Sequence, residues 1–382
     1  MNKTKLRIVY CTPALYMTGG VERVLTLKAN YFAESLGYDI TIVLTEGKGK
    51  PLAYPLSDKI QIVNLDVNFE ELWSCGFLKK VFVYLKKQRV YKKKLTELLM
   101  QIQPNITVSL LRREINFLSN VKDGSKKIGE LHVNRGNYRN FEAGDSNWFK
   151  ELFSKFWMSR LIYHLKRLDR FVVLTEEDKM AWPELSNIIA IPNPLSFNTQ
   201  SVSPLVNKRV IAVGRYTYQK GFDRLLQSWK LVEQMCPEWH LDIFGDGNRT
   251  PYEKIIDDLG IDRKRCRLNG VTHNIQMEYA NSSVFAVSSR FEGLSMAMLE
   301  AISYGLPLVA FACPCGPRDV VENGENGYLV ENGNVEQFAD KLISIMQDSK
   351  ARMMMGVKAK EKSEQYKIEN LAGKWQNLFE SL

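Results

Sequence analysis

Val284-Phe285-Ala286-Val287, then Ser288-Ser289-Arg290-Phe291-Glu292-Gly293-Leu294-Ser295, then Met296-Ala297-Met298-Leu299-Glu300-Ala301: this stretch decides the fold. Its first four residues are apolar and β-branched or aromatic, the pattern of a buried strand. Its last residues open a helix that should stop at Gly305, with Pro307 just beyond. A glycine turn at Gly293 joins the two, with Ser295 as the candidate helix cap. A strand, a glycine turn and a helix start make an anion site, because unpaired N–H groups and the helix dipole converge there. Two carboxylates flank the spot, Glu292 in the turn and Glu300 inside the helix. Glu300 lies five residues beyond Ser295, about 7.5 Å along the axis.

The pattern repeats outward. Residues 209–213, 241–244, 267–271 and 308–311 read as further strands of the same half. The loop after the first of them holds Arg215 and Lys220 ahead of Gly221. Two cations in a strand-to-helix loop suit a diphosphate, arginine as a fork and lysine as a point charge. The plainer reading is two surface cations. In the other half, residues 5–11 read as a strand, Gly19-Gly20 as a turn, 24–36 as a helix and 39–44 as a second strand. That is a βαβ start and implies a parallel sheet. The double glycine is either a plain tight turn or a place where a ligand nears the backbone. His132 follows a strand, at the edge where open α/β sheets bind ligands, yet a lone histidine is as often structural. Residues 148–168 read as an aromatic and basic helix whose Phe149, Phe153, Phe156, Trp157, Leu161 and Leu165 form a mostly buried stripe. Residues 196–207, rich in Ser, Asn and Pro, read as a linker.

At 382 residues the chain is the length of two domains. With 45% hydrophobic and 25% charged residues it is globular rather than disordered. No apolar run reaches a membrane span. The early Lys3, Lys5 and Arg7 precede a run broken by Pro13, so the start reads as a strand and not a secretory signal. Cysteines at 11, 75, 236, 266, 313 and 315 include one close pair and no zinc set, which implies reduced, metal-free thiols in the cytoplasm. Charge is uneven. The first 195 residues carry 30 Lys+Arg against 20 Asp+Glu, the remainder 22 against 23. Eight basic residues and no acid lie between Lys79 and Lys94, beside Val81, Tyr84 and Leu85. A basic amphipathic helix suits an anionic membrane surface; the alternative is a solvated face. No nucleic-acid module accompanies the charge.

The ordered set Gly19-Gly20-Val21-Glu22-Arg23, Gly214-Arg215 with Lys220-Gly221, Phe244-Gly245-Asp246-Gly247, Phe291-Glu292-Gly293 through Glu300, and Cys315-Gly316-Pro317-Arg318-Asp319 with Gly324 and Gly327 resembles the retaining glycosyltransferases of family GT4. The likeness is greatest to members that build bacterial surface polysaccharides. It implies the α/β GT-B fold: two Rossmann-like parallel-sheet domains with a central cleft and a C-terminal helix crossing back to the first. The domains would be 1–195 for the acceptor, joined by a helix at about 365–382, and 196–364 for the nucleotide sugar. The resemblance implies that Arg215 and Lys220 neutralise the donor diphosphate, which leaves from the sugar. Gly293, Leu294 and Ser295 would offer backbone N–H groups to it, and Glu300 would hold the ribose. Glu292 would orient the sugar, His132 would approach it from the first half, and Gly19 and Gly20 would let that half close on the donor. No cofactor and no metal are expected, since the chain has no Asp-x-Asp. The acceptor would be a glycan or lipid-linked oligosaccharide, at the inner face of the cytoplasmic membrane. Remaining alternatives are a non-catalytic nucleotide-sugar or glycan binder, or a GT-B epimerase or phosphorylase. The lack of a Gly-x-Gly-x-x-Gly after the first strand argues against a Rossmann dehydrogenase.

Overall fold

The computed structural model describes residues 5–74, 76–138, 148–197, 199 and 201–382. Cys75 and the side chains of Phe149 and Phe153 lie outside the described residues. The chain divides into two compact units. The first comprises Met1–Leu174, Lys179–Pro194 and Leu371–Leu382, the second Thr175–Asp178 and Leu195–Asn370.

In chain order the first unit begins with β1 (Arg7–Thr12), α1 (Gly20–Glu34), β2 (Asp39–Leu44) and β3 (Gln61–Asn64). It continues with α2 (Phe77–Ile102), β4 (Ile106–Ser109), α3 (Ile115–Leu118), β5 (Lys126–Glu130), α4 (Trp148–Leu165) and β6 (Arg170–Val173). Then come α5 (Glu176–Met180), whose first three residues belong to the second unit, and β7 (Ile188–Ala190). The strands form one parallel sheet in the order β3-β2-β1-β4-β5-β6-β7. Its core follows the two-residue period of a strand. Ile8 and Tyr10 of β1 pack on one face with Leu25, Ala29 and Phe32 of α1. Val9 and Cys11 pack on the other with Tyr91, Leu95 and Leu99 of α2. Both faces are covered, which is why the strands read as unbroken apolar runs. On α4 the expected stripe is half right: Leu161 and Leu165 are buried, while Phe156 is exposed.

The second unit runs β8 (Arg209–Val213), α6 (Phe222–Met235), β9 (His240–Phe244), α7 (Thr250–Leu259), β10 (Cys266–Asn269), α8 (Ile275–Ala280) and β11 (Val284–Val287). It then has α9 (Met296–Ser303), β12 (Leu308–Phe311), α10 (Pro317–Val320), β13 (Gly327–Val330), α11 (Val335–Gln347) and α12 (Ser349–Ser363). The last helix, α13 (Ile368–Glu380), begins at the end of the second unit and lies mostly in the first. Its Trp375, Leu378 and Phe379 pack into the α1 face of the first sheet. The second sheet is parallel in the order β10-β9-β8-β11-β12-β13. Chain order therefore reverses between β8 and β11, and loops leaving their carboxyl ends emerge side by side, where open α/β sheets hold ligands.

Helix α1 starts earlier than its apolar pattern suggested. Gly19 takes the N-cap position with extended backbone and Gly20 is already helical. The expected turn is thus the helix start itself. No helix among the described residues is long and apolar enough to cross a membrane.

Candidate active site

The loop after β8 and the loop after β11 are joined by contacts that leave no room for side chains. Gly221 has φ of 62°, in the left-handed region, and a Cβ there would lie 2.2 Å from the Ser288 carbonyl oxygen. Glycine is required on both counts. Gly245, after β9, is as tight: a Cβ would sit 1.8 Å from the Gly214 oxygen. Gly316 brings a third loop in, since its Cβ would lie 2.9 Å from the Gly293 oxygen. Three loops thus meet backbone to backbone around Glu292 and Gly293.

The side chains follow from that packing. The Lys220 ammonium donates to Glu292 Oε1 at 2.6 Å, and the Ser289 hydroxyl donates to the same oxygen at 2.6 Å. Both Lys220 and Glu292 are largely buried. Arg215, in the same loop as Lys220, is exposed. Leu294 and Ser295 are buried at the start of α9. Ser295 does occupy the N-cap, but its hydroxyl makes no capping bond. The first-turn N–H groups are therefore not satisfied by that side chain. Glu300 is buried within α9 and accepts a hydrogen bond from the Tyr279 hydroxyl at 3.0 Å. The structure brings Lys220 and Glu292 into contact and sets the Gly293–Ser295 helix start beside them.

His132 belongs to a different arrangement, in the first unit. It follows β5, and its Nε2 lies 3.2 Å from Glu130 Oε1. Glu130 is fully buried and bonds the Lys28 ammonium, itself buried on α1. The Lys28 ammonium also sits 4.3 Å from the centre of the Trp375 ring. Burial pushes the Glu130 carboxyl up, but the charges of Lys28 and His132 outweigh it and hold the group at about 2. Sequence reasoning missed Lys28 and Glu130. The signals were present: a lone lysine on the apolar face of α1, and an acid closing an otherwise buried strand.

The Cys-Pro-Cys-Gly loop is thiol, not thiolate. Burial pushes Cys313 and Cys315 up to about 12. Among the described residues no three His, Cys, Asp or Glu side chains gather as metal ligands. Cys315 takes a positive φ of 60°, and its N–H donates to Glu177 at 3.1 Å. Nearby Asp319 is raised to about 6, first by burial and then by the Glu177 charge. A carboxyl raised above its unfolded value stabilises the fold at acid pH and loses that contribution as pH rises to about 6. Asp319→Asn is therefore expected to raise the melting temperature at pH 8 and to leave it nearly unchanged at pH 4.5. Melting curves at the two pH values check it.

Residues 197–362 match the family described as glycosyl transferases group 1. They form a group 1 glycosyltransferase domain. The match covers the second unit almost from end to end, including every glycine contact above. The whole chain is similar to an uncharacterized glycosyltransferase of Haemophilus influenzae, 29% identical over 94% of this chain and 96% of that protein. A poly(ribitol-phosphate) alpha-N-acetylglucosaminyltransferase of Staphylococcus aureus is 30% identical over 69% of this chain, which spans about half (52%) of that enzyme. The solved structure of S. aureus TarM with UDP superposes with a TM-score of 0.75 at 18% identity, covering 98% of this chain and 99% of that one. At that identity the likeness shows the fold, which is GT-B.

Proposed function

We propose that this group 1 glycosyltransferase moves a sugar from a nucleotide-diphosphate sugar, UDP-linked, to a glycan or lipid-linked acceptor in bacterial surface polysaccharide synthesis. The observation that carries the reading is the Lys220–Glu292 contact beside the start of α9, inside the group 1 domain. In the reaction the bond from the anomeric carbon to the diphosphate breaks and its electron pair leaves with the diphosphate. The acceptor hydroxyl bonds to the same face of that carbon and gives its proton to the departing phosphate oxygen, so configuration is retained. Charge builds on the leaving group, and fixed cations and backbone dipoles stabilise it. Arg215, Lys220 and the N–H groups of Gly293, Leu294 and Ser295 supply that field without a metal. Glu292 orients the sugar, Glu300 takes the ribose hydroxyls, Gly19 and Gly20 admit the donor, and His132 is the first unit's contribution. UDP in the S. aureus TarM structure supports the choice of base. Thermal shift across a panel of UDP- and GDP-sugars tests the donor, with slow hydrolysis as the second readout. A binding-only relative would be stabilised and hydrolyse nothing. Stabilisation by none of the panel would overturn the donor reading.

The acceptor side of the proposal places the protein in the cytoplasm, peripheral on the inner membrane face. Helix α2 supports it. Lys79, Lys80, Lys86, Arg89, Lys92 and Lys93 are exposed on it. Phe82 stands 71% exposed among them, with Val81 and Leu85 also in solvent. Cations around a protruding aromatic ring suit an anionic lipid interface. Reversing the charges of Lys79, Lys80, Lys86 and Arg89 is expected to abolish sedimentation with anionic vesicles and to leave nucleotide affinity unchanged. Undiminished sedimentation of that variant would sink the membrane reading.

A further inference from the structure

Lys220 lies in a three-residue turn, Tyr218–Lys220, and all three of its carbonyl groups are held by the stretch after β11. The Tyr218 oxygen accepts from Arg290 Nη1 at 2.9 Å. The Gln219 oxygen accepts from the Arg290 backbone N–H at 2.8 Å. The Lys220 oxygen accepts from the Ser288 hydroxyl at 2.8 Å. Arg290 thus supplies two of the three bonds. Its guanidinium is in turn fixed by Asp223 in the first turn of α6, with Nη1 2.8 Å from Oδ1 and Nη2 2.6 Å from Oδ2. Its guanidinium carbon also sits 4.0 Å from the Tyr218 ring centre.

This forked pair spans both ends of the turn. Asp223 follows Lys220 by three residues, and Arg290 precedes Glu292 by two. One guanidinium therefore sets the position of the lysine and of the carboxylate that receives it. A lysine side chain is long and loses much freedom when fixed. Here the backbone that carries it is fixed as well, and Glu292 already holds the ammonium at the other end. An arginine fork suits this work because two parallel bonds define a direction as well as a distance.

We propose that Arg290, held by Asp223, is a positioning residue that places Lys220 against the donor diphosphate. The proposal rests on the nucleotide-sugar reading above and names a residue that reading leaves without a role. Arg290 touches no reacting atom; it acts through Lys220. Its loss is expected in kcat more than in donor KM, because the charge that Lys220 meets is greatest as the bond breaks.

The test is a double-mutant cycle on the full chain, using UDP-sugar hydrolysis for turnover and calorimetric UDP binding for affinity. Arg290→Ala should lower kcat by about 10- to 100-fold, the scale for a misplaced catalytic group. In a Lys220→Ala background the same substitution should change kcat by less than about 2-fold, since the residue it acts through is gone. Arg290→Lys, which keeps the charge and loses the fork, should fall between. Where Arg290→Ala does not fold, Asp223→Asn takes its place in the same cycle. Equal losses in both backgrounds would mean a merely structural residue and overturn the proposal, as would no loss in the wild-type background. A wild-type protein that neither binds UDP nor hydrolyses any UDP-sugar would instead overturn the donor reading, and the proposal with it.

Discussion

Lys220→Ala is expected to lower donor turnover by about 10²- to 10³-fold, the scale for removing one preorganised charge from a site that receives a developing anion. The expectation follows from where the lysine is held. Its ammonium already meets a carboxylate at 2.6 Å in a largely buried position, so its side chain is ordered before any donor arrives. A diphosphate entering beside it brings more negative charge than Glu292 offers. The lysine can turn to it without new ordering, which is what preorganisation means energetically. The fold should survive, because Glu292 keeps its bond from the Ser289 hydroxyl. Glu292→Gln is the informative companion: the amide still accepts from Lys220 but carries no charge. Single-turnover kinetics with saturating donor check both variants. A Lys220→Ala protein within about threefold of wild type would remove the lysine from the mechanism, since that is below the effect of one lost charge-assisted hydrogen bond.

Glu130→Gln is expected to cost about 3–5 kcal/mol of stability at pH 7, because it leaves the Lys28 ammonium buried without its counter-charge. The pair joins residues 102 positions apart and is almost fully enclosed. Breaking one half strands the other, whereas the double change Lys28→Met with Glu130→Leu should return most of the loss. The pH dependence has a definite sign. Glu130 is held at about 2, below the usual carboxylate value, so its contribution is complete above pH 4.5 and is lost as pH falls toward 2. The gap between wild type and Glu130→Gln should therefore close in acid. Urea titrations at pH 7 and pH 3 measure it. A gap that stays constant across that range would mean that the ion pair is not what stabilises this corner of the first unit.

The sequence carried the second unit's site better than the first's, and the reason is locality. Lys220, Gly221, Glu292 and Gly293 lie in two short loops whose glycines mark tight turns, and turn chemistry is visible without partners. Strands β1, β8, β11 and β12 are buried on both faces, so they announce themselves as apolar runs. Strand β3 was missed because it is an edge strand, and its Gln61 and Ile62 face solvent. Strand β13, an edge of the other sheet, opens on Gly327, and its Tyr328 and Leu329 are only partly buried. The grip of Arg290 on Asp223, and of Lys28 on Glu130, joins distant parts of the chain. No spacing rule relates such positions, and only the closed sheet shows that they meet.

The ring of Trp375 over Lys28 has a consequence for how the protein is made. The first unit owns the start of the chain, yet its α1 face is closed by residues 371–382. During synthesis that face stays uncovered until those residues have left the ribosome. Lys28, Phe32 and their apolar neighbours meanwhile remain open to water and to chaperones. The second unit has no such wait, since its parts are all made by Asn370. The half that is translated first therefore cannot close its α1 face until the other half has been made.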